Sequence, residues 1–240
     1  MTYSVVTTFS PKGYEVYGRM MIESFGKHWP EDVPLYAYFE GDSPPDGASE
    51  RATWMPLDAD QDRARFLESA PPDPAIRMNY KESARRFCHK VFAMTGAPRN
   101  VDHLMFIDAD CVSFSNVTAK MLEMVSAGAG QVAAYLGRPQ RHTETGFLSF
   151  QINSGGGDFL DALRKVYTSG EIFKLKERHD CAAFDHVRGQ LEKRGQKFKN
   201  LCPGAQGLGV FDQSPLRYFI RHNKGPNKRL KVYGHKMLGD

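Results

Sequence analysis

The stretch that most constrains this chain is a short apolar segment that ends in two acids. Residues 104–107 are apolar and rich in β-forming side chains, which predicts a buried strand that stops at Asp108. Asp110 follows two residues later, and an extended backbone would send both carboxylates to the same side. Open α/β sheets bind their ligands at the carboxyl ends of their strands. Because two carboxylates in one site repel each other unless a cation lies between them, the pair predicts a divalent ion that also binds substrate phosphates.

An Asp-x-Asp motif is short, and a pair of acids that caps a loop is the alternative interpretation. The chain repeats the same three letters at Asp58-Ala59-Asp60. That copy follows Pro56, which argues against a central strand, and it leads into a charged stretch that is typical of a solvated turn. We therefore expect the second copy to lie on the surface, because its context differs although its letters do not.

Length and composition favour one ordinary globular domain. The chain has 240 residues, which is enough to bury a sizeable core, and its 41% hydrophobic and 25% charged residues are typical of a soluble protein. The net charge of +4 suits an anionic ligand such as a nucleotide, a phosphate or a nucleic acid. The four cysteines form no C-x-x-C pair, and no stretch resembles a signal peptide or a membrane span. We expect a soluble cytoplasmic protein without a disulfide framework or a membrane partner.

The alternation of predicted strands and helices indicates an α/β fold with a mostly parallel sheet flanked by helices. Strand, helix and strand within the first forty residues are the opening of such a sheet. Strand patterns occur at 3–9, 33–39, 52–57, 104–107 and 131–136 and again before Asn153, and helical patterns occur at 62–69, 81–94, 117–125 and 181–194. Asp158 should cap a further helix after three glycines, and Asp180 or a neighbour should cap the last helix.

A second informative pattern lies in the basic C-terminal stretch. His222, Gly225 and Lys228 have the spacing His-x-x-Gly-x-x-Lys. An imidazole would complete a mixed oxygen and nitrogen shell that favours manganese over calcium. Gly225 would let the backbone approach a phosphate closely, and Lys224 and Lys228 could neutralise a diphosphate. The alternative interpretation is a flexible basic terminus.

Together, the strand that ends in Asp108-Ala109-Asp110 and the His-x-x-Gly-x-x-Lys pattern resemble the GT-A fold glycosyltransferases. The likeness is greatest to the glycogenin-like and lipopolysaccharide galactosyltransferase-like group. This resemblance implies a Rossmann-like single domain over 1–240, with the basic tail 221–240 folded back over a nucleotide site.

The resemblance also implies a set of binding residues. The metal ligands would be Asp108, Asp110 and His222, and the ion would be Mn²⁺ or Mg²⁺. Contacts to a nucleotide sugar would come from the first strand, the helix before the acids, the first acid and the tail, namely Thr7, Thr8, Phe9, Arg86, Lys90, Asp108, Lys224, Gly225 and Lys228.

Two segments differ from the pattern of that group. Arg229-Leu230 follows Lys228 where the group commonly has Pro-Trp, and Glu144-Thr145-Gly146-Phe147 replaces a central Asn-x-Gly segment. The Glu-Thr-Gly-Phe segment and the stretch 179–185 resemble glycosyltransferases encoded by bacteria and bacteriophages.

Proton transfer adds three candidate residues. An inverting transfer needs a base for the acceptor hydroxyl, and a carboxylate near the sugar is the natural choice. Asp180 is the first candidate, with Glu144 and Asp185 behind it. Asp180 could instead cap a helix, Glu144 could bind hydroxyls of the donor sugar, and a retaining transfer would need no such base. The other histidines are expected to be surface or packing residues, namely His28, His89, His103, His142, His179, His186 and His235.

The predicted activity is a metal-dependent transfer of glucose or a related hexose from a UDP-sugar to an acceptor hydroxyl. Two acceptor classes stay open: a hydroxymethylated pyrimidine in DNA, which would have to be flipped out of the duplex, and a saccharide or small molecule. A nucleotidyltransferase and a nucleotide-binding module without catalysis are the competing functions. The expected location is the cytoplasm of a bacterium or of a phage-infected cell.

Overall fold

A seven-stranded sheet forms the centre of the fold. The computed structural model describes residues 1–41, 43–74, 80–207 and 209–223. In chain order the strands are β1 Tyr3–Phe9, β2 Leu35–Phe39, β3 Ala52–Pro56, β4 His103–Ile107, β5 Cys111–Ser113, β6 Gln131–Leu136, β7 Glu144–Gln151, β8 Lys197–Asn200 and β9 Ile220–His222. The sheet has the order β3-β2-β1-β4-β7-β6-β8, and β5 pairs with β9 in a separate two-stranded ribbon.

Six of the seven strands of the sheet run in one direction. β1 is parallel to β2 and β4, β2 to β3, and β6 to β8, whereas β7 is antiparallel to both of its neighbours. The carboxyl ends of β1, β2 and β4 therefore meet at one edge of the sheet, and the first residues of β7 lie at the same edge. The predicted α/β fold with a mostly parallel sheet is confirmed.

Helices cover both faces of this sheet. They are α1 Pro11–Gly13, α2 Arg19–His28, α3 Gln61–Ser69, α4 Ala84–Gly96, α5 Ala119–Val125, α6 Gly156–Thr168 and α7 Asp180–Glu192, and a π-helical turn, Tyr14–Gly18, joins α1 to α2. Apolar side chains of α2 and α5 lie in one hydrophobic cluster, and those of α4, α6 and α7 lie in another. β1 supplies Val5 to the first cluster and Val6 to the second, as the alternation of a strand requires. Within the described residues, no helix is both long and apolar enough to cross a membrane.

The second Asp-Ala-Asp copy is part of the framework that joins α3 to α6. It follows β3, which is an edge strand, in agreement with the argument from Pro56. The Asp60 carboxylate accepts from the backbone N–H of Arg63 at 3.0 Å and from Nη2 of Arg164 at 2.7 and 2.8 Å. Its side chain is only 15% exposed. The copy lies in a turn, as expected, but Asp60 is not a solvated surface group.

Two helix starts differ from the prediction. Gly155, at φ +96°, precedes α6, and Asp158 lies inside the first turn, so the prediction that Asp158 caps this helix is wrong. α4 begins three residues later than predicted, because the carboxylate of Asp73 accepts hydrogen bonds from the backbone N–H groups of Arg85 and Arg86. A cap supplied from 12 residues upstream leaves no local signature in the sequence.

We expect Asp60→Ala to destabilise the fold. The substitution removes the cap of α3 and leaves the partly buried guanidinium of Arg164 with fewer acceptors, so the free energy of unfolding should fall by about 1–3 kcal/mol. Urea denaturation followed by circular dichroism measures this change. Glu68→Ala is the control, because Glu68 is exposed on the same helix, and it should stay within about 0.5 kcal/mol of the wild type. Equal loss of stability in both variants would contradict the assignment.

Candidate active site

Asp108 and Asp110 lie in a tight turn directly after β4. The Cys111 N–H donates to the carbonyl of Asp108 at 2.9 Å, and the Asp108 N–H donates to the carbonyl of Gly146 in β7 at 2.9 Å. A turn therefore presents the two acids, and the extended backbone assumed from the sequence is wrong at this point. Both carboxylates nevertheless line one cavity.

The ribbon of β5 and β9 brings the C-terminal part of the chain to these acids. Cys111 lies opposite His222 in the antiparallel register, and the Asn223 N–H donates to the carbonyl of Asp110 at 2.9 Å. Nε2 of His222 is 3.0 Å from Oδ1 of Asp110 and 4.0 Å from Oδ2 of Asp108. Nδ1 of His222 is buried and has no hydrogen-bond partner among the described residues. The structure thus brings together the three side chains predicted to bind a metal.

The start of β7 encloses the site from the other side. Because β7 is antiparallel to β4, its first residues lie beside the acids that follow β4. Ligand atoms of Asp108, Glu144 and His222 all lie within 4.8 Å of one another. A Cβ on Gly146 would lie 2.8 Å from Cε1 of His222 and 3.2 Å from Oδ2 of Asp108, so a larger residue would displace one of them. Carboxylate and imidazole groups this close together could hold a divalent cation.

A buried ammonium group lies between two of the carboxylates. Nζ of Lys90, on α4, is 2.7 Å from Oδ1 of Asp108 and 2.9 Å from Oδ2 of Asp180, and it lies over the ring of Phe106. Burial alone would lower the pKa of Lys90, but the carboxylates of Asp108 and Asp180 raise it above its ordinary value. Lys90 therefore keeps its charge at neutral pH and neutralises part of the negative charge of the site.

Asp180 is the first residue of α7, whose N-cap is the neighbouring His179. Oδ2 of Asp180 accepts from the hydroxyl of Thr145 at 2.5 Å and from Nζ of Lys90 at 2.9 Å. Burial alone would raise the pKa of Asp180, but Lys90 and Thr145 lower it to about 2. A carboxylate with so low a pKa is a weak proton acceptor at neutral pH, so these contacts do not favour the predicted role of Asp180 as the base.

A cavity of 410 Å³ opens at the carboxyl ends of β1, β2 and β4. It is lined by Thr8, Phe9, Ser10, Tyr17, Glu40, Arg86, His89, Lys90, Asp108, Ala109 and Asp110. Six of these are residues predicted to bind a nucleotide sugar or its metal. Thr7 is fully buried and is not part of this lining.

Glu40 and His89 also line this cavity, and neither was predicted as a binding residue. Nδ1 of His89 accepts from Nε of Arg63 at 2.9 Å, so the proton of the neutral ring lies on the other nitrogen. Burial and the charge of Arg63 lower the pKa of His89 to about 4, which keeps the ring neutral. Glu40 directly follows β2, and this place at the end of a predicted strand was the available signal.

A second and larger cavity of 960 Å³ includes two of the candidate carboxylates, Asp180 and Glu144. Its other lining residues are Lys81, Phe87, Arg138, Gln140, Arg141, His142, Glu177, His179 and Cys181. His142 and His179 were expected to be surface or packing residues, but both line this cavity. Asp185 does not line it, and its carboxylate instead lies 2.9 Å from Nδ1 of His142. The pair is separated by 43 residues, and no sequence pattern connects its members.

Lys224, Gly225 and Lys228 lie outside the described residues, so their contacts with a diphosphate stay predictions. The described chain continues to Asn223, whose backbone is bonded to Asp110 at the centre of the site. The basic tail therefore starts directly beside the candidate metal ligands.

The fold is similar to that of a solved glycosyltransferase structure, and two further glycosyltransferase structures match with lower scores. The apo form of mouse xyloside xylosyltransferase 1 is 11% identical, covers 84% of this chain and 85% of its own chain, and has a TM-score of 0.51. The apo form of the glycosyltransferase GlyE from Streptococcus pneumoniae TIGR4 is 12% identical, with a TM-score of 0.45, over 82% of this chain and 45% of that chain. The apo form of the bifunctional glycosyltransferase WbbM is 12% identical, with a TM-score of 0.49, over 84% of this chain and 39% of that chain. This chain thus spans less than half the length of the GlyE and WbbM chains.

No family model and no curated protein matches the chain. At 11% identity, the likeness to the xylosyltransferase shows a shared fold. That fold agrees with the architecture implied by the sequence resemblance.

We expect Gly146→Ala to disturb the site without unfolding the protein. The new methyl group would meet the His222 ring, which should move away from Asp110 and reduce the affinity for Mn²⁺ by about tenfold or more. Electron paramagnetic resonance of Mn²⁺ titrated into the protein measures this affinity. Gly189→Ala is the matched control, because nothing lies within 4 Å of a Cβ at that helical position. An unchanged Mn²⁺ affinity in Gly146→Ala would show that the new methyl group does not displace the His222 ring.

Proposed function

We propose that this protein is a metal-dependent GT-A glycosyltransferase, related to the glycogenin-like group, that moves glucose or a related hexose from a UDP-sugar to an acceptor hydroxyl. The main support for the proposal is that the side chains of Asp108, Asp110 and His222 lie close together. They lie beside a cavity at the carboxyl edge of a mostly parallel sheet. The fold shared with mouse xyloside xylosyltransferase 1 supports it.

Asp108, Asp110 and His222 would hold Mn²⁺ or Mg²⁺. Carboxylate oxygens with one imidazole nitrogen are a donor set that such an ion accepts, and Nε2 of His222 faces both carboxylates, at 3.0 Å from Asp110 and 4.0 Å from Asp108. A divalent cation bound there would neutralise negative charge on the diphosphate of the donor.

The donor nucleotide would occupy the cavity of 410 Å³. Thr8 and Phe9 would contact the nucleoside, and Arg86, which is exposed at the cavity wall, would face the phosphates. Thr7 would act through the packing of β1, because it lies outside the lining. Lys224, Gly225 and Lys228, which lie outside the described residues, would contact the diphosphate.

The transferred sugar would lie where the two cavities approach each other. Glu144 and Asp180 line the larger cavity, while Asp180 also pairs with the Lys90 ammonium of the smaller one. Both carboxylates are held by cations, Glu144 by Arg138 at 3.0 Å and Asp180 by Lys90 at 2.9 Å. They would accept hydrogen bonds from sugar hydroxyls and stabilise positive charge that develops at the anomeric carbon.

The acceptor that we propose is a hydroxymethylated pyrimidine in DNA, in the cytoplasm of a bacterium or of a phage-infected cell. The net charge of +4 supports a polyanionic partner. A saccharide or small-molecule acceptor is the alternative within the same activity.

A matrix of donors and acceptors tests the proposal. Nucleotide sugars are incubated with Mn²⁺ and with plain DNA, hydroxymethylated DNA or simple saccharides, and the products are identified by mass. The expected result is a hexose added to an acceptor and a nucleoside diphosphate released. If nucleotide sugars stay intact while a nucleoside triphosphate is consumed with a sugar phosphate, the protein is a nucleotidyltransferase and the proposal is wrong.

We expect Asp110→Asn and His222→Ala each to reduce turnover by about 10²-fold to 10³-fold or more, since each removes a ligand of the proposed cation. Turnover is measured as the release of UDP from UDP-glucose, and circular dichroism checks that the fold is retained. Asp58→Asn is the matched control, because it alters the other Asp-Ala-Asp copy and should keep nearly full activity. Full metal-dependent activity in both site variants would refute the site.

We expect Lys228→Ala to weaken donor binding more than acceptor binding, because the ammonium group would contact the diphosphate and not the acceptor. Isothermal titration of UDP and of the acceptor, each alone, separates the two effects. An equal loss for both ligands would place Lys228 elsewhere.

A further inference from the structure

Two exposed aromatic side chains lie on adjoining segments at the end of the β5–β9 ribbon. Phe114 follows β5 and is 44% exposed, and Tyr218 lies just before β9 and is 49% exposed. The Phe114 N–H donates to the carbonyl of Phe219 at 3.0 Å, and Oγ of Ser115 donates to the carbonyl of Tyr218 at 2.7 Å. Within the described residues, Met1 is the other exposed large hydrophobic side chain. The two rings therefore stand out from an otherwise polar surface and point to a binding surface.

A guanidinium group lies over each of these rings. Cζ of Arg221 is 5.7 Å from the centre of the Phe114 ring, and Cζ of Arg217 is 4.8 Å from the centre of the Tyr218 ring. Both arginines are exposed, and among the described residues neither forms an ion pair with a carboxylate. We call Phe114, Arg217, Tyr218 and Arg221 the aromatic–arginine surface. It combines flat apolar rings with positive charges that no described carboxylate neutralises.

The sequence around the aromatic–arginine surface is basic. The segments 111–120 and 214–222 contain Lys120, Arg217 and Arg221 and no acid. Such a surface attracts a polyanion and repels a second copy of itself, because the same charges would face each other. A neutral saccharide could stack on the rings but would gain nothing from the positive charges. Charge therefore favours a nucleic acid over both alternatives.

A single strand of nucleic acid carries both of the chemical groups that this surface suits. Its unpaired bases stack on aromatic rings and on guanidinium planes, and its phosphates pair with arginines. In a duplex the faces of the bases are covered by their neighbours, so the two rings would have no base to stack on. Unpaired nucleotides arise in the proposed function, because the target pyrimidine has to leave the duplex before its hydroxyl can react.

The ribbon connects this surface to the candidate metal ligands without sharing side chains with them. Phe114 is four residues beyond Asp110, so their Cα atoms are at most about 14 Å apart. Arg221 precedes His222 in β9, and neighbouring residues of a strand face opposite sides. His222 faces Asp110, at 3.0 Å, whereas Arg221 faces Phe114. A strand bound to the surface would thus pass close to the site without displacing a metal ligand.

We propose that the aromatic–arginine surface binds a single-stranded segment of the DNA acceptor, an inference that rests on the proposed function. Bases stack on Phe114 and Tyr218, and Arg217 and Arg221 bind phosphates of the same strand. The surface holds the strand while a neighbouring nucleotide enters the site. Binding needs no donor, since none of these four residues lines the donor cavity.

Fluorescence anisotropy of a labelled oligothymidine of about 12 nucleotides measures this binding in the absence of a donor. We expect Phe114→Ala and Tyr218→Ala each to raise the Kd about fivefold to 100-fold, as for the loss of one base–aromatic stack. Phe114→Trp keeps an aromatic face and should bind within about twofold of the wild type, whereas Phe114→Leu should lose as much affinity as Phe114→Ala. An abasic oligonucleotide of the same length should bind the wild type and Phe114→Ala equally.

The salt dependence of binding tests the arginines. Arg217→Gln and Arg221→Gln should each reduce the slope of log Kd against log salt concentration by about 0.7, the value for one phosphate contact to a single strand. Arg194→Gln is the matched control, because Arg194 is exposed beyond α7 and forms no ion pair among the described residues. Its slope should equal that of the wild type. Circular dichroism checks that every variant retains the fold.

Three results would overturn this inference: a wild type that does not bind the oligothymidine, equal losses in Arg194→Gln and Arg221→Gln, or full binding by Phe114→Leu. Displacement of the oligothymidine by a neutral maltooligosaccharide would show a saccharide surface and overturn it as well. If the wild type fails to bind the strand but transfers hexose from UDP-glucose to a saccharide, the proposed transferase activity stands without this surface. If it binds the strand through Phe114 and Tyr218 but consumes no nucleotide sugar, the proposed function fails while the strand-binding surface stands.

Discussion

The antiparallel pairing of two three-residue strands holds the candidate site together. β5 directly follows the acids of β4, and β9 places His222 opposite Cys111. Few backbone hydrogen bonds would stabilise such a short ribbon alone, and it depends on buried neighbours. Phe219 and Ile220 are part of the larger hydrophobic core, and the Trp29 indole donates to the hydroxyl of Ser113 at 2.8 Å. The position of the imidazole is thus set by the packing of the core around the ribbon.

The parts of this architecture that the sequence predicts are those with local signatures. The first strand has the predicted bounds, and the strand before the acids begins only one residue earlier than expected, because both are continuous β-forming segments between clear stops. Asp108 likewise lies directly after the carboxyl end of β4, as the sequence predicts. The family resemblance implied that Arg86 and Lys90 of the helix before the acids contact the donor, and both residues line the cavity beside the acids.

The parts that sequence could not predict depend on contacts between distant segments. The direction of β7 is one example, and it decides that Gly146 and Glu144 lie beside Asp108. A short apolar strand has the same pattern in either direction, so its direction is not a property of the segment alone. The pairing of His142 with Asp185 is another example, since neither residue has an unusual local context. The two side chains meet only because the segment before β7 packs against α7.

Paired charges set what the carboxylates beside the two acids can do. Asp180 pairs with Lys90 at 2.9 Å, and Glu144 pairs with Arg138 at 3.0 Å. Lys90 and the hydroxyl of Thr145 lower the pKa of Asp180 to about 2, although burial alone would raise it. Protonation of this carboxylate would leave the ammonium group of Lys90 without one of its partners. The contacts that stabilise Asp180 in its ionised form therefore favour a role in binding over its predicted role as a base.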